Sequence, residues 1–179
     1  MIHASKNYWV ISDRHHQHKN ILTFKDDDGN LIRPGFSSIE EMDEKLIENW
    51  NKEVTNPNDT VYDLGDVTFG NYEKYCIDIA PRLMGKKELI LGNHDRIKGT
   101  RLMDFFERVH AVWHYNEEFG IVMTHLPIEQ HLFRRNCTHN VHGHIHAKSL
   151  QCPLHANVCV ERTGYKPINL EEISKFFGN

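Results

Sequence analysis

Apolar residues along this chain fall into short β-type runs separated by helical periodicities. Asn7-Tyr8-Trp9-Val10-Ile11-Ser12 is aromatic and β-branched and predicts a first core strand that stops at Asp13. Ile39, Met42, Leu46, Ile47, Trp50 and Val54 then recur along one helical face. A Ser38/Glu41 capping box opens that helix and Asn56-Pro57 closes it. Thr60-Val61-Tyr62 predicts the second strand. Asn71 to Leu83 predicts a helix that packs Tyr72, Tyr75, Ile79 and Leu83, and Leu89-Ile90-Leu91 a third strand broken at Gly92. The order strand, helix, strand, helix, strand favours a parallel sheet with right-handed crossovers, and hence an α/β fold.

The second half is less regular. Arg101 to Glu107 reads as a short helix carrying Leu102, Phe105 and Phe106. Val109 to Tyr115 and Phe119 to Thr124 read as two strands of a hairpin around Asn116-Glu117-Glu118. His155 to Glu161 reads as a further strand. Asn169 caps a last helix, with Glu172 three residues on and an Ile168–Ile173 staple, docked by Leu170, Phe176 and Phe177. Phe24 to Phe36 is an excursion, a short hairpin arm turning at Asp28-Gly29. Its acidic run is not a calcium loop, because the glycine comes too early and the distal glutamate is missing. Without repeats or linkers, 179 residues form one domain, 1–179.

A formal charge of −4 gives no basic field for capturing nucleic acid. No apolar run approaches membrane-spanning length, and Met1 to Ser5 lacks the parts of a signal peptide, so a soluble, cytoplasmic protein is expected, with no membrane partner. Cys76, Cys137, Cys152 and Cys159 form no C-x-x-C pair and read as small apolar residues. Fourteen histidines are more than solubility asks for.

Many of them stand where strands end. Asp13 and His15 follow the first strand, Gly65-Asp66 the second, Gly92-Asn93-His94-Asp95 the third, His125 the Phe119–Thr124 strand, and Gly143-His144-Ile145-His146 closes the set. In an extended segment the i, i+2 spacing of Asp13/His15 and of His144/His146 puts both side chains on one side of the backbone. Each motif alone also reads as a polar turn. Repetition of strand followed by ligand-type residues favours chemistry. Two carboxylates, one amide oxygen and four imidazoles, without thiolate, suit Mn, Fe, Zn or Ni. Seven such groups exceed one tetrahedral site and suit two ions sharing a carboxylate, the usual machinery of phosphoester hydrolysis.

The ordered set Asp13-x-His15, Gly65-Asp66, Gly92-Asn93-His94-Asp95, His125 and Gly143-His144-x-His146 resembles the calcineurin-like metallophosphoesterase superfamily, and most closely its small bacterial and viral members. The resemblance implies a four-layer α-β-β-α sandwich. It implies two divalent metal ions, Mn first and Fe, Zn, Ni or Mg as alternatives. Asp13, His15, Asp66 and His146 would hold one, and Asp66, Asn93, His125 and His144 the other, with Asp66 bridging. His94 would be catalytic, facing the substrate to donate to the phosphate or to the leaving oxygen. Protein-phosphatase members carry an orienting aspartate where Phe69 stands here, which argues against that activity. Asp63, Asp95 or a backbone carbonyl is then left to orient His94, or its acid role is weaker.

A small nucleotide-type phosphodiester is the expected substrate. A phosphomonoester or dinucleoside polyphosphate is the enzymatic alternative, and a nuclease or a non-catalytic scaffold of the same fold stands further off. Arg14, His16, His18, Lys19 and Arg96 lie beside the ligands and are candidates for substrate binding, each also readable as a solvated residue. Arg134-Arg135 reads as an exposed helix end or loop, with contact to a nucleotide's distal phosphate as the lesser alternative. His3, His110, His114, His131, His139, His142 and His155 read as structural or surface residues, with His142 the best candidate for a group that orients a ligand.

Overall fold

The computed structural model describes residues 6–96, 101–134 and 136–178; His3 and Arg135 lie outside them. The structure is mixed α/β with two sheets. The first has strand order β4 (Arg108–His110), β3 (Lys86–Ile90), β2 (Thr60–Asp63), β1 (Tyr8–Ile11), β9 (Ile168–Asn169). Strands β1 to β4 run parallel and β9 antiparallel. The second sheet has order β5 (Trp113–Asn116), β6 (Ile121–Thr124), β7 (His139–His142), β8 (His155–Asn157), antiparallel at β5–β6 and parallel beyond.

Alternation along the strands sorts the core into two layers. Ile11, Val61 and Leu89 face the helices α1 (Ile39–Glu53) and α2 (Tyr72–Asp78), where Met42, Leu46, Trp50 and Tyr75 complete one cluster. Val10, Tyr62, Leu64 and Ile90 point the other way, onto Ile121, Met123 and Val141 of the second sheet and Leu170 and Ile173 of α4 (Leu170–Phe176). Ser38 caps α1 by accepting from the Glu41 amide, and Asn169 caps α4. Among the described residues no helix is long and apolar enough to cross a membrane.

Several boundaries differ from those the periodicity predicts. Val109 to Tyr115 is two strands, not one: β4 ends the first sheet at His110, and β5 opens the second at Trp113. The run stays rich in apolar and aromatic residues while its pairing partner changes. The helix expected to reach Leu83 ends at Asp78 and resumes as a 3-10 turn over Ala80–Arg82, because Pro81 has no amide to donate. The strand expected at His155–Glu161 stops at Asn157, and Val160–Thr163 forms a short helix, α3, closed by Gly164 at φ 67°.

Arg14 is a correction. It is 1% exposed and cannot touch a substrate. Its guanidinium pairs with Asp63, donates to the Tyr75 hydroxyl at 3.0 Å and lies 5.1 Å from the Trp50 ring centre. It ties the end of β2 to both helices. Truncating one partner of a buried pair strands the other charge. Arg14→Ala is therefore expected to lower stability by about 3–5 kcal/mol, measured as a drop in the urea midpoint. The double change Arg14→Met/Asp63→Leu should recover most of that. A midpoint unmoved by Arg14→Ala would contradict the structural role.

Candidate metal centre

The sequence motifs meet where the two sheets join. Past the ends of β1 and β2 the chains keep running side by side: the Asp13 amide donates to the Gly65 carbonyl at 3.0 Å, His15 to Asp66 at 2.9 Å, and His16 to Val67 at 3.1 Å. Ser12 links this ladder to the second sheet, donating to the Val158 carbonyl at 3.1 Å and accepting from the Val160 amide at 3.1 Å. The Gly143 amide donates to the His125 carbonyl at 2.9 Å.

The segments are not extended, as the i, i+2 argument supposes. Asp13 (φ 57°), His15 (φ 47°), Asp66 (φ 56°), His144 (φ 69°) and His146 (φ 50°) are left-handed. Asp and His tolerate that region better than most side chains. Alternating turns, not strand pleating, bring each pair to one side. Glycines allow the close approach. A Cβ on Gly92 would collide with the Asp66 carboxylate and amide, and one on Gly143 with Ser12 and the Asp13 carboxylate.

Two triads result, each with its ligand atoms within 4.8 Å of one another: Asp13, His15 and His146, and Asp66, His125 and His144. Asn93 joins the second, with Oδ1 2.9 Å from His125 Nε2. Each carboxylate has one anchored and one presented oxygen. Asp13 Oδ2 accepts from Ser12 Oγ (2.6 Å), the His144 amide (2.8 Å) and Cys159 Sγ (3.2 Å). Its Oδ1 faces His15 Nε2 at 3.7 Å and His146 Nε2 at 3.9 Å and has no hydrogen-bond partner. Asp66 Oδ1 accepts from the His94 amide at 2.9 Å, while Oδ2 lies 3.6 Å from His15 Nε2 and 3.4 Å from His125 Nε2.

The imidazoles are set from behind. His125 Nδ1 lies 2.8 Å from the Leu64 carbonyl and His146 Nδ1 2.9 Å from Glu161 Oε1. In each case the bond fixes the proton on Nδ1 and turns the Nε2 lone pair toward the carboxylates. Burial opposes ionisation of Asp13, but the neighbouring imidazoles of His15, His125 and His146 and the Ser12 hydroxyl outweigh it and hold the carboxyl well below its usual range. Burial likewise lowers His146, yet Glu161 reverses the sign and raises it. Asp13 Oδ1 and His15 Nε2 are buried, unpartnered and 3.7 Å apart, and the N/O donor set could hold divalent ions.

His94 is exposed at the mouth, its ring 5.8 Å from that of His15 and edge-on to Phe69 at 5.0 Å. Neither carboxylate considered for orienting it does so: Asp63 pairs with Arg14, and Asp95 accepts from the amides of Asp66, Val67 and Gly92. Instead the Tyr72 hydroxyl holds the His94 carbonyl, and Phe69 packs on the ring. Phe69, Gly70, Tyr72, Asn93, His94 and Arg96 line a cavity of about 260 Å³. Arg96 alone of the substrate-binding candidates lines it. His16 is buried against Asp43 at 2.9 Å, and Lys19 lines a separate groove beside Glu40 and Asp43. His18 is largely buried, stacks on Phe69 at 4.2 Å and uses Nδ1 to cap a 3-10 turn.

Sequence reasoning missed the supports. Arg33 is buried and donates to the backbone carbonyls of Asp13 and Arg14 and, at 2.7 Å, to Glu161, so one cation braces both the Asp13 turn and the group behind His146. Cys159 is more than an apolar filler, since burial keeps it a thiol that donates to Asp13. His142 Nδ1 lies 2.9 Å from the Gly143 carbonyl.

No family model matches the chain. It is 32% identical to the uncharacterized protein MJ1445 of Methanocaldococcus jannaschii, over 96% of this chain and 92% of that one. The chain belongs to the MJ1445 family. A second relative is the Gene 66 protein of Mycobacterium phage L5, 34% identical over 91 residues, which cover 50% of this chain and 40% of the phage protein. Among solved structures, the crystal structure of AQ665, a protein of unknown function from Aquifex aeolicus, superposes with a TM-score of 0.75 at 29% identity, covering 96% of this chain and 99% of that one.

Two outcomes follow for this member of the MJ1445 family. Mn²⁺ added to chelator-treated protein is expected to raise the melting temperature, with about 2.7 kcal/mol gained at a hundredfold excess over Kd. Gly92→Ala should abolish most of that rise by displacing Asp66, as read by differential scanning fluorimetry. A full metal-induced rise in the variant would contradict the close packing of Gly92 on Asp66.

Proposed function

We propose that the chain is a two-metal phosphoesterase of the calcineurin-like type, acting on a small phosphodiester. The observation that carries this reading is Asp66 Oδ2, which stands 3.6 Å from His15 of one triad and 3.4 Å from His125 of the other, as a bridging carboxylate must. Asp13, His15, Asp66 and His146 would hold one ion, and Asp66, Asn93, His125 and His144 the other. When bound, the ions supply Lewis acidity toward phosphoryl oxygens and acidify the attacking water. The four-layer α-β-β-α sandwich belongs to the same proposal, supported by the helix layer on the first sheet and the apolar core between the sheets.

The chain's own groups do the rest. His94, exposed beside His15, donates a proton to the leaving oxygen. Arg96 binds a non-reacting phosphate oxygen at the rim, and Phe69 and Tyr72 offer apolar faces to an aryl or base group. A diester fits better than a monoester because, among the described residues, Arg96 is the one Lys or Arg lining that cavity, while Arg14 and Arg33 are buried in structural pairs. One cationic side chain matches the single charge of a diester better than the double charge of a monoester.

Manganese-loaded protein is expected to hydrolyse bis-p-nitrophenyl phosphate, and Asp66→Asn to eliminate measurable turnover. His94→Gln should lower kcat about 10²–10⁴-fold on esters of poor leaving groups, and less on p-nitrophenyl esters, whose leaving oxygen needs no proton. Absence of turnover on every ester by metal-loaded wild type would sink the proposal. An equal effect of His94→Gln on both ester types would remove the acid role alone.

A further inference from the structure

A second set of ligand-type side chains lies at the edge where the chain leaves the first sheet for the second. Glu88 is on β3, two residues before Ile90, and therefore faces the layer between the sheets. His110 ends β4 opposite Ile90 and shares that face. His114 is on β5 opposite Met123, itself part of the inter-sheet core. Only Ala111 and Val112 separate β4 from β5, so the two histidines confront each other across the gap between sheets.

Their geometry is close. His110 Nε2 lies 3.0 Å from Glu88 Oε2, the two imidazole centres are 4.7 Å apart, and the ligand atoms of all three residues fall within 4.8 Å of one another. Tyr62 stacks on the His114 ring at 5.2 Å and fixes its plane. The Glu88–His110 contact by itself reads as an ion pair. It leaves the third member unexplained: among the described residues the His114 ring makes no hydrogen bond, yet it points its polar edge at the other two.

We propose that Glu88, His110 and His114 form a further divalent-cation site, sharing no residue with the paired centre and fastening the edges of the two sheets together. Two imidazoles and one carboxylate favour Zn²⁺, Co²⁺ or Ni²⁺ over Mg²⁺ or Ca²⁺, with the remaining positions open to water. The partial exposure of His110 leaves a route for the ion. The role is structural, since the site lies on strands at the sheet edge.

The test counts ions. Chelator-treated protein is loaded with Zn²⁺, gel-filtered and analysed for zinc by mass spectrometry, in the wild-type and Asp66→Asn backgrounds. His114→Ala is expected to carry one equivalent fewer per chain in both backgrounds, and Zn²⁺ to raise the melting temperature of Asp66→Asn but not of Asp66→Asn/His114→Ala. Glu88→Gln, nearly isosteric, should behave as His114→Ala does and carries the count if the latter folds poorly. Unchanged zinc content in His114→Ala and Glu88→Gln overturns the proposal. Failure of the paired centre would appear differently, as a wild type that binds no more zinc than Asp66→Asn while His114→Ala still loses its equivalent.

Discussion

Everything at the junction of the two sheets depends on keeping Asp13 and Asp66 charged where almost no water reaches them. A buried carboxylate is costly unless it is paired and hydrogen-bonded. The solution in both cases is asymmetric. One oxygen is saturated by fixed donors, three for Asp13 and the His94 amide for Asp66, while the other is left facing imidazoles. Anchoring one oxygen fixes the direction of the other, so the histidines converge on defined points. Arg33, behind Asp13, supplies a compensating charge without entering the site.

Holding those carboxylates strains the backbone. Left-handed conformations at Asp13, His15, Asp66, His144 and His146 are sparsely populated for side chains with a Cβ, at a cost of order 1–3 kcal/mol each. They persist because the surroundings over-determine them. The amides of Asp13, His15 and His16 stay paired to the loop after β2, and Ser12 is held by β8's continuation. Glycine at 92 and 143 removes the atoms that would otherwise separate the loops. Strain of this kind gathers where positions are set for chemistry rather than for stability.

Much of the architecture was legible along the chain. The parallel β1–β2–β3 order follows from apolar runs separated by helical periodicity, and the residues that converge were visible as ligand types recurring at strand ends. What escaped has physical reasons. Arg14 and His16 sit between ligands and look solvated, because nothing in a charged side chain's own chemistry says that a buried Asp63 or Asp43 awaits it. Glu161 stands 128 positions from Arg33, and no local pattern reports so distant a pairing. The change of sheet between His110 and Trp113 leaves hydrophobicity intact, so it erases its own signal. It also hid the closeness of His110 and His114.

The order in which the two halves of the junction occur along the chain has a consequence for biogenesis. Asp13, His15, Asp66 and Asn93 all precede the first residue of β6, whereas His125, His144 and His146 follow its start. A polypeptide synthesised from its amino end thus acquires the anionic side well before its imidazole counterpart. Until β6 and β7 emerge from the ribosome, the first sheet carries both acidic groups with His15 alone of the four triad imidazoles beside them. Docking of the late sheet is the event that makes the early one comfortable.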